Sequence, residues 1–171
     1  MAMLMLLRHA KSDWGSGHRD HDRPLNQRGR AAAAKMGAFI AEERLIPDQI
    51  ICSTAARARE TLDVLLGEVS DHPPVTYEAS LYGAAASTIM QLIAAQGPEI
   101  KALMLVGHNP GFEDCAMQLA AGDSSQDSQE IRRKYPTCGL AIFQSPEGSV
   151  ADLTAHSAVL NRFMTPRLLT L

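Results

Sequence analysis

Arg8 and His9 stand at the end of an apolar run, Met3-Leu4-Met5-Leu6-Leu7, so a buried strand delivers a guanidinium and an imidazole together. A buried guanidinium destabilises a fold unless an anion or a fixed carboxylate completes its site, which makes an oxyanion the first ligand to consider. Taken alone, the pair also fits the polar end of a strand. Two later apolar runs repeat the pattern. Residues 49–52 lead into Ser53-Thr54-Ala55-Ala56-Arg57-Ala58-Arg59-Glu60-Thr61, and residues 103–106 lead into Gly107-His108-Asn109-Pro110-Gly111. A lone His108 fits a structural histidine in a turn, and Arg57 and Arg59 near Glu60 fit a solvated helix face. Two histidines with arginines at successive strand ends fit a tetrahedral oxyanion better than three separate coincidences.

The elements that must position these groups follow from the alternation of short apolar runs with helical periodicity. That pattern predicts an α/β fold, a three-layer sandwich with a mostly parallel central sheet flanked by helices. Residues 3–7, 49–52 and 103–106 read as central strands and residues 75–77 as a short one. Residues 139–144 and 150–154 read as an antiparallel hairpin around Pro146-Glu147-Gly148. Four amphipathic helices are expected around Ala32/Met36/Phe39/Ile40, Ala58/Leu62/Leu65/Leu66, Ile89/Leu92/Ile93 and Phe112/Ala116/Leu119. Pro110 suits the first position of the last helix, and Gly29 and Gly122 suit helix boundaries. Residues 12–27 and 122–130 lack periodicity and read as loops. In a parallel sheet, the C-terminal ends of the strands share one edge, where ligands of open α/β sheets bind.

Composition narrows the function. The 171 residues, 46% hydrophobic and 20% charged, fit one globular domain spanning 1–171. A net charge of −3 argues against nucleic acid as a partner. The charge is uneven: residues 1–60 carry ten Lys/Arg against seven Asp/Glu, and the rest carry six against twelve. A local anion site fits that better than a broad basic face. Cys52, Cys115 and Cys138 lie far apart in apolar surroundings and read as reduced structural thiols. No apolar run approaches the length of a membrane span or a leader's core, so a cytoplasmic protein without a membrane partner is expected. His18, Asp20, His21 and Asp22 form a dense cluster without a recognised ligand spacing, and read as a solvated loop bordering the site. Arg132-Arg133-Lys134 reads as a solvated helix end, with docking of an acidic partner as the other reading.

These segments resemble the histidine phosphatase superfamily, of phosphoglycerate-mutase-like fold, and within it the small SixA-type phosphohistidine phosphatases. Leu7-Arg8-His9-Ala10 resembles the Arg-His-Gly signature, and Asp22-Arg23-Pro24-Leu25-Asn26-Gln27-Arg28-Gly29 the segment that follows it. Residues 53–61 resemble the Ser-x-x-x-Arg-Ala-x-x-Thr segment, and residues 106–111 the segment carrying a second histidine. Two departures stand out: Ala10 replaces the signature glycine, and only about 45 residues separate Thr61 from Gly107, too few for a cap subdomain. The resemblance implies a minimal, open version of the fold.

The resemblance further implies phosphoryl transfer without cofactor or metal. His9 would be the phosphorylated nucleophile, attacking through Nε2 with its other nitrogen held. Arg8, Arg57 and His108 would grip the phosphoryl oxygens, with Arg23 and Asn109 as further substrate contacts. The alternative for Arg23 is a surface pairing with Asp20 or Asp22. Glu78, after the strand at 75–77, is the candidate general acid. The open site implies a phosphorylated protein, above all phosphohistidine on a phosphotransfer domain, as partner. A small phosphorylated metabolite is the alternative substrate, and a non-catalytic phosphate-docking module the alternative function.

Overall fold

Apolar runs too short for helices become the inner strands of a single sheet, and the periodic segments between them cover its two faces. The computed structural model describes residues 1–15 and 17–169. Six strands, β1 (Ala2–Arg8), β2 (Gln49–Ser53), β3 (Val75–Glu78), β4 (Ala102–Gly107), β5 (Leu140–Ser145) and β6 (Val159–Met164), are ordered β3-β2-β4-β1-β5-β6. The first four run parallel, while β5 is antiparallel to β1, and β6 to β5. The three-layer α/β expectation therefore holds.

Strand alternation builds two cores. Leu4 and Leu6 of β1 face one side with Leu103 and Leu105 of β4. They meet Ile89 and Ile93 of α3 (Ala86–Ala94), Phe112 and Ala116 of α4 (Gly111–Leu119), and Ile131 of α5 (Gln126–Arg133). Met5, Leu7, Met104 and Val106 face the other side. There they pack on Met36 and Ile40 of α1 (Gln27–Glu42) and Leu62 and Leu65 of α2 (Ala56–Leu66). A sixth helix, α6 (Pro166–Leu169), contacts α1. Leu4, Met5, Leu6 and Leu7 are fully buried, so truncating one of them to Ala costs about 2–5 kcal/mol. That rigidity holds Arg8 and His9 at the strand's end.

Three local expectations are corrected. The partner of β5 is residues 159–164, not 150–154. Ser149 and Asp152 form a reciprocal cap that tightens Val150–Asp152 into a 3-10 turn and buries Val150 and Leu153 against the first core. The expected loop at 122–130 turns helical from Gln126, where the Ser125 hydroxyl accepts the Ser128 N–H. That helix buries only Ser128 and Ile131, so hydrophobic periodicity could not reveal it. Pro110 caps α4 from just outside it, because the helix opens at Gly111. A side chain at Gly111 would collide with the Ala84 carbonyl, and one at Gly29, in the first turn of α1, with the Lys11 carbonyl. Those close approaches seat α1 and α4 against the loops around the site.

The three cysteines are buried and free, their thiols pushed up to about 12 by burial. No helix among the described residues is long and apolar enough to cross a membrane.

Candidate active site

Because β2, β4 and β1 are adjacent and parallel, their C-terminal ends meet: Arg8 lies in register with Gly107, and Cys52 with Val106. His9, one residue past β1, donates its backbone N–H to the Gly107 carbonyl at 2.9 Å, and its ring is only 6% exposed. Its Nδ1 lies 2.7 Å from the Ala10 carbonyl, an acceptor only, so Nδ1 carries the proton and Nε2 keeps its lone pair. Arg57 Nε donates to that Nε2 at 3.4 Å, in agreement with the same tautomer. Desolvation, reinforced by His108, Arg57 and Arg8, outweighs the Ala10 bond and lowers the His9 pKa to about 3. The imidazole is neutral and nucleophilic at pH 7.

The His108 ring stands 5.2 Å from that of His9, tilted by 52°. Its Nε2 is 2.7 Å from the Ser53 hydroxyl, which accepts the Ala55 N–H at 3.2 Å. The hydroxyl keeps its own proton and a second lone pair, so it can bond Nε2 in either tautomer of the ring. Burial, with Arg57 next, lowers the His108 pKa to about 4. Arg8 is tied through Nη1 to the Tyr135 carbonyl at 3.0 Å. Two buried nitrogens, Arg8 Nε and His108 Nδ1, have no hydrogen-bond partner. Buried polar nitrogens are rarely left without a partner.

Arg57 sits in the first turn of α2, nine-tenths buried, and Arg59 does not join it. Two residues along a helix turn the side chain by about 200°, and Arg59 stacks on the Tyr77 ring at 4.3 Å instead. Thr61, one turn on, returns to the site: its hydroxyl donates to the Arg57 carbonyl at 2.6 Å and accepts the Ala10 N–H at 2.9 Å. That pair of bonds ties α2 to the loop after His9, a physical reason for the spacing of the motif.

Arg23 makes the expected pairing with Asp20, but as a buried group rather than a surface one. It is 6% exposed, donates to the Ser12 hydroxyl and pairs with Asp20 at 2.9 Å, and Trp14 lies over its guanidinium at 3.6 Å. The same Asp20 reaches Arg57, so a loop carboxylate links two buried arginines. The expected loop at 12–27 thus borders the site through a 3-10 turn, Asp20–Asp22. No three potential metal ligands gather anywhere among the described residues.

Two expected site residues are occupied elsewhere. The Asn109 amide donates to the Tyr135 carbonyl at 3.0 Å and accepts the Glu113 N–H at 3.2 Å, so it anchors the start of α4 rather than facing a ligand. The Glu78 carboxylate caps the 3-10 turn Ala79–Leu81, accepting from the Ser80 N–H at 3.2 Å and hydroxyl at 2.9 Å, with no bond to either histidine. Sequence reasoning gave no role to Ser53, Tyr82 and the Tyr135 carbonyl, and offered Asp20 only as a partner for Arg23, not for Arg57. Tyr82 meets the His108 ring edge to face at 5.5 Å, and its hydroxyl donates to Asp20. Nothing periodic marks these positions; Ser53 alone sat inside a motif.

The model of the histidine phosphatase superfamily (branch 1) matches residues 4–82, which include Arg8, His9, Arg23 and Arg57. The uncharacterized protein Rv1276c of Mycobacterium tuberculosis is 36% identical over 163 residues, covering 94% of this chain and 100% of its own. Among solved structures, the "putative phosphohistidine phosphatase SixA" of Agrobacterium tumefaciens is 34% identical with a TM-score of 0.82, over 96% of this chain and 98% of that one. Its counterpart from Nakamurella multipartitia is 31% identical with a TM-score of 0.83, covering 96% of each chain. Paired histidines among buried arginines, on a fold shared end to end with these proteins, place the chain in the histidine phosphatase superfamily as a SixA-type hydrolase.

Proposed function

We propose that this chain removes phosphate from phosphohistidine on a cytoplasmic phosphotransfer protein, as one domain, through a covalent intermediate on His9. The observation that carries this reading is the His9 imidazole: neutral, Nδ1 pinned to Ala10, Nε2 unprotonated beside Arg57 and His108. In the first step the Nε2 lone pair forms a bond to phosphorus as the substrate's own P–N bond breaks. The substrate imidazole, already protonated on its far nitrogen, departs as a neutral ring that keeps the electron pair of the broken bond. Arg8, Arg57 and His108 hold the phosphoryl oxygens, and Arg23 adds positive charge nearby. Water then attacks phosphorus, releasing inorganic phosphate and regenerating neutral His9.

The choice of a phosphorylated protein over a small phosphoester rests on two features. The chain between Thr61 and Gly107 holds only the rest of α2, β3, a 3-10 turn, α3 and β4, with no cap subdomain. Glu78, the expected acid, is engaged with Ser80, and an imidazole leaving group needs strong acid assistance less than an alkoxide does. Turnover on a phosphohistidine-bearing phosphotransfer protein, compared with a panel of small phosphomonoesters, tests the reading. Preference for the protein and a loss of about 10⁴-fold or more in His9→Ala are expected. Higher efficiency on one metabolite would overturn the substrate, and activity surviving in His9→Ala would overturn the nucleophile.

A further inference from the structure

The terminal fork of Arg57, the pair of nitrogens suited to gripping two phosphoryl oxygens, is already occupied. Nη1 donates to the Asp20 backbone carbonyl at 2.7 Å and Nη2 to the Asp20 carboxylate at 3.2 Å. The remaining nitrogen, Nε, faces His9. Asp20 is held from two other sides, by Arg23 at 2.9 Å and by the Tyr82 hydroxyl. We infer that the Asp20 carboxylate is a resident competitor for the phosphoryl subsite on Arg57, latched by Tyr82 and Arg23, which an incoming phosphoryl group displaces.

Three observations support displacement over a fixed clamp. The contact to Arg57 is the longer of the two ion pairs, so the carboxylate can retreat onto Arg23 without losing its counter-charge. The turn carrying Asp20 buries none of its residues, and the Asp20 side chain is half exposed, so its movement disturbs no core. His21 of the same turn bonds the Thr54 hydroxyl at 2.9 Å and meets the Tyr82 ring edge to face at 5.0 Å, contacts that do not involve the Arg57 fork. Hydrogen bonds from Arg23 and Tyr82 hold the Asp20 pKa well below the usual carboxylate range, so the competitor is charged at neutral pH.

The consequence is a site open only part of the time, which lowers the apparent affinity of every phosphoryl ligand by the open fraction. The penalty falls equally on all of them and leaves relative specificity unchanged. Inorganic phosphate, which brings no other contact, is therefore shed readily, whereas a phosphoprotein can offset the loss through the rest of its surface.

This inference rests on the proposed phosphoryl subsite, and the experiment separates the two. Binding of inorganic phosphate to the full chain is measured by calorimetry for the unaltered protein, Asp20→Asn, Tyr82→Phe and Arg57→Ala. Expected are binding to the unaltered protein, its loss in Arg57→Ala, and tightening of roughly tenfold in Asp20→Asn, as for a site open about a tenth of the time. Tyr82→Phe changes no charge but removes one latch, and a tightening of about two- to threefold is expected from the weakened hold. Tightening in Asp20→Asn with no change in Tyr82→Phe would mean that only a like charge was removed, and would overturn the latch. Unchanged or weaker binding in Asp20→Asn would overturn it too, making Asp20 a positioning clamp. If Arg57→Ala binds phosphate as well as the unaltered protein, the subsite reading itself falls, and the inference with it.

Discussion

The ends of the inner strands and the end of the edge strand β3 lie on the same rim of the sheet and hold opposite kinds of polar group. After β1, β2 and β4, the groups His9, Arg57 and His108 are each 6% exposed, and they depend on one another across the sequence: Arg57 on His9, His108 on Ser53, Ala10 on Thr61. At the end of β3, Glu78 is half-buried and bonds to its own neighbour two residues away. Its register partner is Ser53, so proximity is not what differs. Inner strands carry polar groups into a place without water, where each must find a partner or a ligand. An edge strand leaves its carboxylate free to make the nearest local bond.

Breaking the inner set has the largest expected effect. Arg57→Ala removes a charged donor beside the proposed nucleophile, and a loss of about 10²–10³-fold in kcat/KM on phosphohistidine is expected. Steady-state kinetics on a folded variant check it, and a loss below about threefold would remove Arg57 from the machinery. A smaller effect follows from burial of the imidazoles. His9 and His108 have folded pKa values of about 3 and about 4, below the 6.5 of an unperturbed histidine, so the unfolded chain takes up protons first. Their contribution to stability is complete above pH 6.5 and is lost progressively as the pH falls through the range from 6.5 to 3. A urea midpoint lower at pH 5 than at pH 7.5, with both ring signals still neutral by NMR at pH 5, is the expected outcome. The smallest effect belongs to the edge: Glu78→Gln should change kcat on phosphohistidine by less than about threefold, since a weakly basic leaving group needs little acid. A loss of a hundredfold would restore Glu78 as the acid and erase the contrast.

Legibility in the sequence followed the same division. The inner strands were readable because burial on both faces imposes unbroken apolar runs, and their ends were readable because Arg8, Ser53 and Gly107 stop those runs. Helix α5 was not, since it buries a single large apolar side chain, and β6 was displaced from its expected place by the capped turn at Val150–Asp152. In the site, residues 53–61 named Arg57, and helical rotation accounts for Arg59, two residues on, lying on Tyr77 instead.

What the amino-acid order determined by itself was the set of groups and the edge at which they meet: three apolar runs, each ending in a histidine or leading to an arginine, and too few residues between them for a cap. Tertiary structure alone decided how those groups are used. It fixed the His9 tautomer through a neighbouring carbonyl, left Arg8 Nε and His108 Nδ1 without partners, turned Asn109 and Glu78 to local caps, and brought Asp20 across to the Arg57 fork. The physical reason is that hydrogen bonds are short and directional. Composition and spacing state which donors exist; only the packed chain states which acceptor lies within 3 Å of each.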